Sequence, residues 1–366
     1  MSQEIACASP SCLPPRSSLP SPARASWPPP VPRRGARLRT ATIAPLAILV
    51  ILGWLTPAAM ALDCPAVRIL PHFEPGKTLI EGYVNTGSPR PGVRRRDRIR
   101  SLLATPAASA PVILQVGPAS HALILDGEGA FSWRIPNWTG TATLGLIDPV
   151  ASQTLWQKEM CLPPPPDFLM VSDIDDTIQV TEVTRRVRLV INSLLKTVED
   201  REAVPGTPPL YRHLAAASPA HGRPLVVYLS CSPAAMARSL EGFFARQGFP
   251  EGVLITKHTL HSDGSDPAVH KTKWLRRLAD AYPGRPFLLL GDSGEKDPEI
   301  YADFIKEGSR PCLGIIIRQV PGREARDAGR LNALATDLAA AGIPFLVWRN
   351  PDELRSALVT LGFALP

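Results

Sequence analysis

The sequence predicts an α/β domain built on a doubly wound parallel sheet, preceded by a small β-sandwich-like domain. Three observations carry this. From Phe168 onward, short and nearly all-apolar segments alternate with amphipathic helical stretches, the pattern of a parallel sheet covered on both faces. Residues 64–162 instead hold short alternating segments separated by turn residues, as in an antiparallel sandwich. Between them stands Pro163-Pro164-Pro165-Pro166, which holds an extended left-handed helix and acts as a stiff spacer. The organisation therefore reads as a leader (1–61), a β-rich domain (62–162), a linker (163–167) and an α/β domain (168–366). Two domains also suit a chain of 366 residues.

The leader comes first. Residues 1–40 are rich in Pro, Ser and Arg without an apolar period, so they cannot form a core. Ala41 to Leu55 is almost wholly apolar, is preceded by Arg33, Arg34, Arg37 and Arg39, and is followed by Ala59-Met60-Ala61. A basic flank, a short apolar stretch and a small-x-small site before Leu62 read as a secretory signal peptide. The long stretch ahead of it places the expected start of translation downstream, at Val31. An uncleaved anchor is the alternative, because Ala41 to Leu62 would span ~30 Å of hydrocarbon as a helix. Either way the Arg-rich side stays in the cytoplasm and the body is exported, periplasmic or membrane-associated. Asp63 before Cys64 argues against a lipoprotein, and Arg33-Arg34 lacks the flanking residues of a twin-arginine signal.

Charge excludes one class of partner. The net charge is +7, but residues 1–61 hold six Arg and one Glu, which leaves only +2 for the remainder. A body so close to neutral offers no general case for nucleic acid.

In the β-rich part, residues 67–70, 78–84, 111–116, 130–135, 141–147 and 153–157 show alternation or β-branched content. Turn signals at Asn85-Thr86-Gly87, Asp126-Gly127-Glu128-Gly129 and Asn137-Trp138-Thr139-Gly140 separate them. Cys64 and Cys161 bracket this domain, and an oxidising compartment would permit a disulfide between them. With Cys231 and Cys312 there are three possible pairings, and spacing alone does not choose. No C-x-x-C pair exists, so a zinc ribbon is excluded.

In the α/β part, strands are expected at 168–172, 225–229, 253–256, 286–290, 313–317 and 344–347. Helices are expected at Pro233–Arg246, Lys273–Ala281 and Arg326–Ala341. Two of these strands end in acidic motifs: Asp173-Ile174-Asp175-Asp176-Thr177 and, 118 residues after Asp173, Gly291-Asp292 with Asp297. Ligands of such sheets sit at the carboxyl ends of the strands. The two motifs are therefore expected to form one site.

That pattern points to phosphoryl chemistry. Asp173 is the expected nucleophile. Asp175, two residues on, would protonate a leaving oxygen and then activate water, exchanging acid and base roles. Attack by a carboxylate on a phosphate needs positive charge, and hard oxygen ligands suit Mg²⁺. Asp173 and Asp292 would ligate it, with the backbone carbonyl of Asp175, while Asp297 orients the lysine or a metal-bound water from outside. Ser230, ending the strand Leu225–Leu229, is placed to bind a phosphoryl oxygen, and Ser232-Pro233 reads as a helix cap and first turn. Lys271, ahead of the next helix, is the favoured cation, with Lys273 the alternative.

Competing signatures fail. There is no Walker loop and no G-x-S-x-G. His258, His261, Asp263, Asp266 and His270 match no metal-ligand spacing and read as a polar loop. Cys231 reads as a small core residue. The basic runs Arg90 to Arg100 and Arg185, Arg186 and Arg188 read as solvated faces, the second able to attract an anionic substrate or a membrane. Residues 179–204 could lie along an interface as an amphipathic helix.

Taken together, Asp173-Ile174-Asp175-Asp176-Thr177-Ile178, Tyr228-Leu229-Ser230-Cys231-Ser232-Pro233, His270-Lys271 and Gly291-Asp292-Ser293-Gly294-Glu295-Lys296-Asp297-Pro298-Glu299-Ile300-Tyr301 resemble the actin-patch-associated phosphatidate phosphatase family. That family belongs to the haloacid-dehalogenase-like superfamily, and the resemblance covers about 167–320. Val204-Pro205-Gly206 with Leu210-Tyr211 and Leu214 shares it. It implies Mg²⁺-dependent hydrolysis of a phosphomonoester, phosphatidate to diacylglycerol being the example. It implies Asp173 as nucleophile, Asp175 as acid/base, Ser230 and Lys271 as phosphate-binding residues and Asp292 as metal ligand. About 45 residues separate the first two motifs, so any cap is small and the site open, as suits a phospholipid headgroup. Cys231 departs from the polar residue expected there. An exported location also departs from lipid synthesis in the cytoplasm, which keeps open a phosphatase for soluble exported phosphoesters. A binding protein whose α/β domain has lost catalysis is the remaining alternative.

Overall fold

The computed structural model describes residues 61–87, 104–180, 201–259 and 266–365. The leader, Arg90 to Arg100, Arg185, Arg186, Arg188, most of the 179–204 stretch, His261 and Asp263 lie outside the described residues. The described residues lie within one compact unit. No helix among the described residues is long and apolar enough to cross a membrane.

The N-terminal part consists of eight strands in two four-stranded antiparallel sheets. One contains β1 (Leu62–Glu74), β2 (Lys77–Thr86), β3 (Thr105–Pro106) and β6 (Ala130–Pro136), with β2 pairing the other three. The other has the order β5-β4-β7-β8, from β4 (Pro111–Val116), β5 (Ala119–Ile124), β7 (Thr141–Asp148) and β8 (Gln153–Cys161). Both contribute to one apolar core that includes Ile80, Val84, Leu114, Phe131, Leu144 and Leu146. Strands β3 and β5 carry no expectation from the sequence. β3 is two residues long, and β5 (Ala-Ser-His-Ala-Leu-Ile) alternates too weakly to register. The Cys64–Cys161 disulfide that an oxidising compartment would permit, one of three pairings left open, is not formed in this structure. Cys64 is a buried thiol, Cys161 an exposed one, and all four described cysteines are free.

The C-terminal part is α/β. Its six-stranded sheet is parallel throughout, in the order β11-β10-β9-β12-β13-β14. The strands are β9 (Phe168–Ser172), β10 (Pro224–Pro233), β11 (Val253–Lys257), β12 (Phe287–Asp292), β13 (Cys312–Arg318) and β14 (Phe345–Trp348). Alternate side chains of each central strand enter different cores, because Cβ direction reverses at every residue. Leu169 and Val171 join the core under α3 (Pro267–Ala281), α4 (Asp297–Glu307) and α5 (Glu324–Ala340). Phe168 and Met170 join the core under α1 (Thr207–Ala215), α2 (Ala237–Gln247) and α6 (Pro351–Thr360). Every residue of β9 is buried, which is why Phe168 to Val171 read as an unbroken apolar run; Ser172, also buried, is satisfied by hydrogen bonds to the Asp173 carbonyl and the Tyr211 hydroxyl.

Three local expectations are corrected. α3 begins at Pro267, where Asp266 accepts from the Ala268 amide as a cap. Lys271 therefore lies inside the helix and not ahead of it. Ser232 caps no helix, because β10 continues to Pro233 and a 3₁₀ turn, Ala234–Met236, leads into α2. The two layers also share a core: Leu70, Phe73 and Leu79 of the N-terminal sheet pack with Trp274, Leu278 and Tyr282.

Candidate active site

β9 and β12 are neighbours, with Leu290 opposite Ser172, so the residues just beyond them emerge side by side at one sheet edge. The Asp173 amide donates to the Leu290 carbonyl at 2.9 Å, which ties the first motif to the second. Asp173 is 4 % exposed, and Asp292 and Asp297 are fully buried. Carboxylate oxygens of all three lie within 4.8 Å of one another. Lys271, fully buried on α3, enters the same space. Its ammonium lies 2.9 Å from Asp173 Oδ1, donates to Asp297 Oδ1, and stands 3.6 Å from Glu295. Lys273 is exposed on the same helix.

Each carboxylate is held by its neighbours. Thr177 Oγ1 donates to Asp173 Oδ2 at 3.0 Å, which uses the last residue of the D-x-D-x-T motif. Asp292 Oδ1 accepts from the Gly294 and Glu295 amides at 2.5 and 3.2 Å, so the loop after β12 folds around it. Gly291 leaves room for this packing. A Cβ there would lie 2.7 Å from Asp297 Cβ and 2.8 Å from the Tyr301 ring. Ser230 is buried on β10, at the same end of the sheet, and its Oγ accepts from the Ser232 amide.

Asp175 stands apart from the three clustered carboxylates. Its Oδ1 accepts from Gln179 Nε2 at 3.3 Å, and Gln179 Oε1 accepts in turn from Arg201 at 2.6 Å. Asp176 follows with φ of 57°, a left-handed backbone that Asp tolerates better than most residues. Its carbonyl accepts from Arg318 Nη1 at 2.6 Å. Arg318 ends β13, opposite Asp292. A basic residue closing a third central strand was a signal available in the sequence. Asp327 and Arg330 of α5 were not foreseeable, since their contact depends on how that helix packs. Asp327 accepts from Ser293 Oγ at 2.9 Å, and Arg330 donates to the Ser293 carbonyl at 2.5 Å, pinning the second motif from behind.

The electrostatics follow from burial. Three buried carboxylates face one buried ammonium, an acidic excess held away from water. Burial raises the pKa of Asp173, with Lys271 drawing it partly back, and also raises Asp292 and Asp297, where neighbouring carboxylates add to the effect. Burial alone would discharge Lys271, but Asp173, Asp297 and Glu295 outweigh it and hold the ammonium charged. Burial pushes Asp175 up to about 6, against the pull of Arg201. The Cys231 thiol, 3.8 Å from the Pro267 carbonyl, is pushed up to about 12 by burial and is no nucleophile near neutral pH.

Two buried oxygens, Asp292 Oδ2 and Asp297 Oδ2, accept no hydrogen bond among the described residues. Buried carboxylate oxygens without donors are costly unless a cation faces them. The donor set is all oxygen, which fits a hard divalent ion. Of the residues read as a polar loop, His258 is instead buried and stacks on Tyr83 with ring centroids 4.3 Å apart, Asp266 caps α3, and His270 is buried within that helix.

Fold and site define a domain of the α/β class with buried carboxylates clustered at one edge of its parallel sheet. Residues 168–319 match the family described as phosphatidate phosphatase APP1, catalytic domain, so the family resemblance carried by the four motifs holds for that segment. By that description the matching family is one of phosphatidate phosphatases, which are phosphoric monoester hydrolases. Two curated relatives are similar over the same part of the chain. The phosphatidate phosphatase APP1 of Saccharomyces cerevisiae is 27% identical over 153 residues, 41% of this chain and 25% of that protein. The uncharacterized protein C29B5.04c of Schizosaccharomyces pombe is 27% identical over 157 residues, with the same coverage of each chain. The chain thus spans about a quarter of the length of these relatives. Among solved structures, a β-glucuronidase from Ruminococcus gnavus aligns at TM-score 0.28 and 7% identity, over 80% of this chain and 53% of that one. So low a score carries no argument.

Proposed function

We propose that the α/β domain is a haloacid-dehalogenase-like, Mg²⁺-dependent phosphatase that forms an aspartyl phosphate, with phosphatidate as its substrate. The observation that carries this reading is the meeting of Asp173, Asp292, Asp297 and Lys271, with two carboxylate oxygens left without donors. The similarity to the APP1 catalytic domain supports the substrate.

Asp173, Asp292 and Asp297 would hold the ion, which when bound neutralises phosphoryl oxygens and offsets the excess negative charge of the carboxylates. Asp173 attacks phosphorus while Asp175, poised near neutrality, gives its proton to the departing alcohol oxygen. The new bond joins Asp173 to phosphorus, and the ester P–O bond breaks. Asp175, now ionised, takes a proton from water. That water displaces the Asp173 carboxylate and releases inorganic phosphate. Lys271 stays charged throughout and faces the negative charge of the transferred group, and Ser230 hydrogen-bonds one of its oxygens. Export, as read from the leader sequence, would bring the enzyme to a membrane surface or a periplasm.

Phosphate release should be measured with Mg²⁺ on phosphatidate in mixed micelles and on a panel of nucleotides, sugar phosphates and phosphopeptides. The reading expects preference for the micelles and a loss of more than about 10³-fold in Asp173→Asn. Preference for soluble esters would replace the lipid assignment. Equal rates in wild type and Asp173→Asn would end the enzymatic one.

A further inference from the structure

Glu81 lies on β2 in the N-terminal sheet and is 5 % exposed, yet its carboxylate reaches the helix that carries Lys271. It accepts four hydrogen bonds. Arg68 Nε and Arg277 Nη1 donate to one oxygen at 3.0 and 2.9 Å, and Arg277 Nη2 and Ser132 Oγ donate to the other at 2.5 and 2.9 Å. The two guanidinium groups gathered in this way lie over the buried Trp274 ring, 4.5 Å (Arg68) and 4.6 Å (Arg277) from its centroid. The same contact continues along the helix. Arg277 lies over Phe73 at 5.3 Å, Phe73 meets Tyr282 edge-on, and the Tyr282 hydroxyl donates to the Pro71 carbonyl at 2.7 Å.

On α3, Lys271, Trp274 and Arg277 follow at three-residue intervals, so they share one flank of the helix, with about 9 Å between first and last. A buried ion cluster contributes little net stability relative to apolar packing of the same volume. What hydrogen bonds and stacked planes do supply is one rotation and one axial position for the helix.

Resting on the reading of Lys271 as the phosphoryl-facing cation, we propose that Glu81 is a positioning residue. Through Arg68, Trp274 and Arg277 it fixes α3 so that the Lys271 ammonium sits against Asp173 and Asp297. The N-terminal sheet is then a buttress of the catalytic edge, and the phosphatase domain works only with that sheet in place.

The test uses the full chain, Mg²⁺ and phosphatidate in mixed micelles. Glu81→Gln keeps the shape and removes the charge. The expected result is a fall in kcat of about 10- to 100-fold, with KM within about twofold. Added to Lys271→Met, the same substitution should cost less than about twofold more, because the group it positions is gone. An equal loss in both backgrounds, or an unchanged kcat, overturns the proposal. Arg277→Leu, at a half-exposed position, repeats the test should Glu81→Gln not fold, and Arg277→Lys should recover part of the rate. Hydrogen exchange gives a reading independent of turnover. Amides of residues 270–278 should exchange faster in the variant while those of β10 and β12 do not, and unchanged exchange in α3 would count against the clamp. If wild type releases phosphate from no ester, the functional reading falls, and the exchange result still decides whether Glu81 holds the helix.

Discussion

Replacing Lys271 by Met keeps the side-chain stem and removes the charge, and the structure sets the size of the effect. The ammonium is fully buried, 2.9 Å from Asp173, bonded to Asp297 and 3.6 Å from Glu295. Taking one partner out of a buried charge pair costs about 3–5 kcal/mol, because the remaining charge is left without compensation. At ~2–4 °C per kcal/mol for a domain of this size, the midpoint should fall by about 6–20 °C in EDTA. The carboxylates can relieve part of this by taking up protons, so the loss depends on pH. Their native pKa values already lie above the ordinary value of about 3.9, and the substitution raises that of Asp173 further. The native state of the variant then binds protons that the unfolded chain releases, so its stability is present at low pH and is lost as pH rises through the raised native values. Calorimetry at pH 5 and pH 8 should show the larger deficit at pH 8. In the phosphatase assay kcat should fall by about 10²–10³-fold, the scale for one charge-stabilising group. Wild-type stability at pH 8 would refute the buried cluster, and a wild-type kcat would refute contact between Lys271 and the phosphoryl group.

Further outcomes are expected from the same geometry. Asp175 ionises at about 6, so a step that needs it as a base should gain rate as pH rises through that value; in Asp175→Asn the phosphoenzyme should persist in acid-quenched samples. Gly291→Ala forces a methyl against Asp297 and Tyr301 at under 3 Å, and should cost about 1–3 kcal/mol in urea melts. It should also weaken Mg²⁺ binding. Mg²⁺ at a hundred times its Kd should stabilise the wild type by about 2.7 kcal/mol, or about 5–10 °C, and Asp292→Asn should abolish that shift. Arg318→Met leaves the Asp176 carbonyl without its donor, and should lower kcat with little change in KM.

Much of this was legible in the chain because parallel strands write themselves plainly. A strand buried on both faces is apolar along most of its length, as β9 is from Phe168 to Val171, and a carboxylate close after such a run stands out. Asp173 and Asp292 were visible for that reason. Helices were harder to read. α3 starts at Pro267, ahead of the clear amphipathic stretch, because its first turns carry His270 and Lys271 into the interior where an apolar pattern would have placed Leu. The caps misled for a related reason: Ser232-Pro233 has the composition of a helix start, but pairing with β11 extends the strand through it.

Local composition therefore determined the strands of the α/β sheet, that they are parallel and buried, and which acidic side chains stand at their ends, since these follow from periodicity and from the polarity of single residues. Only the packed chain decided that Lys271 and not Lys273 faces Asp173, that Asp297 joins the carboxylates directly, and that Glu81 of a separate sheet grips the lysine helix. Those choices rest on which flank of a helix meets which neighbour. That is settled by contacts between residues far apart in sequence, and no local pattern records it.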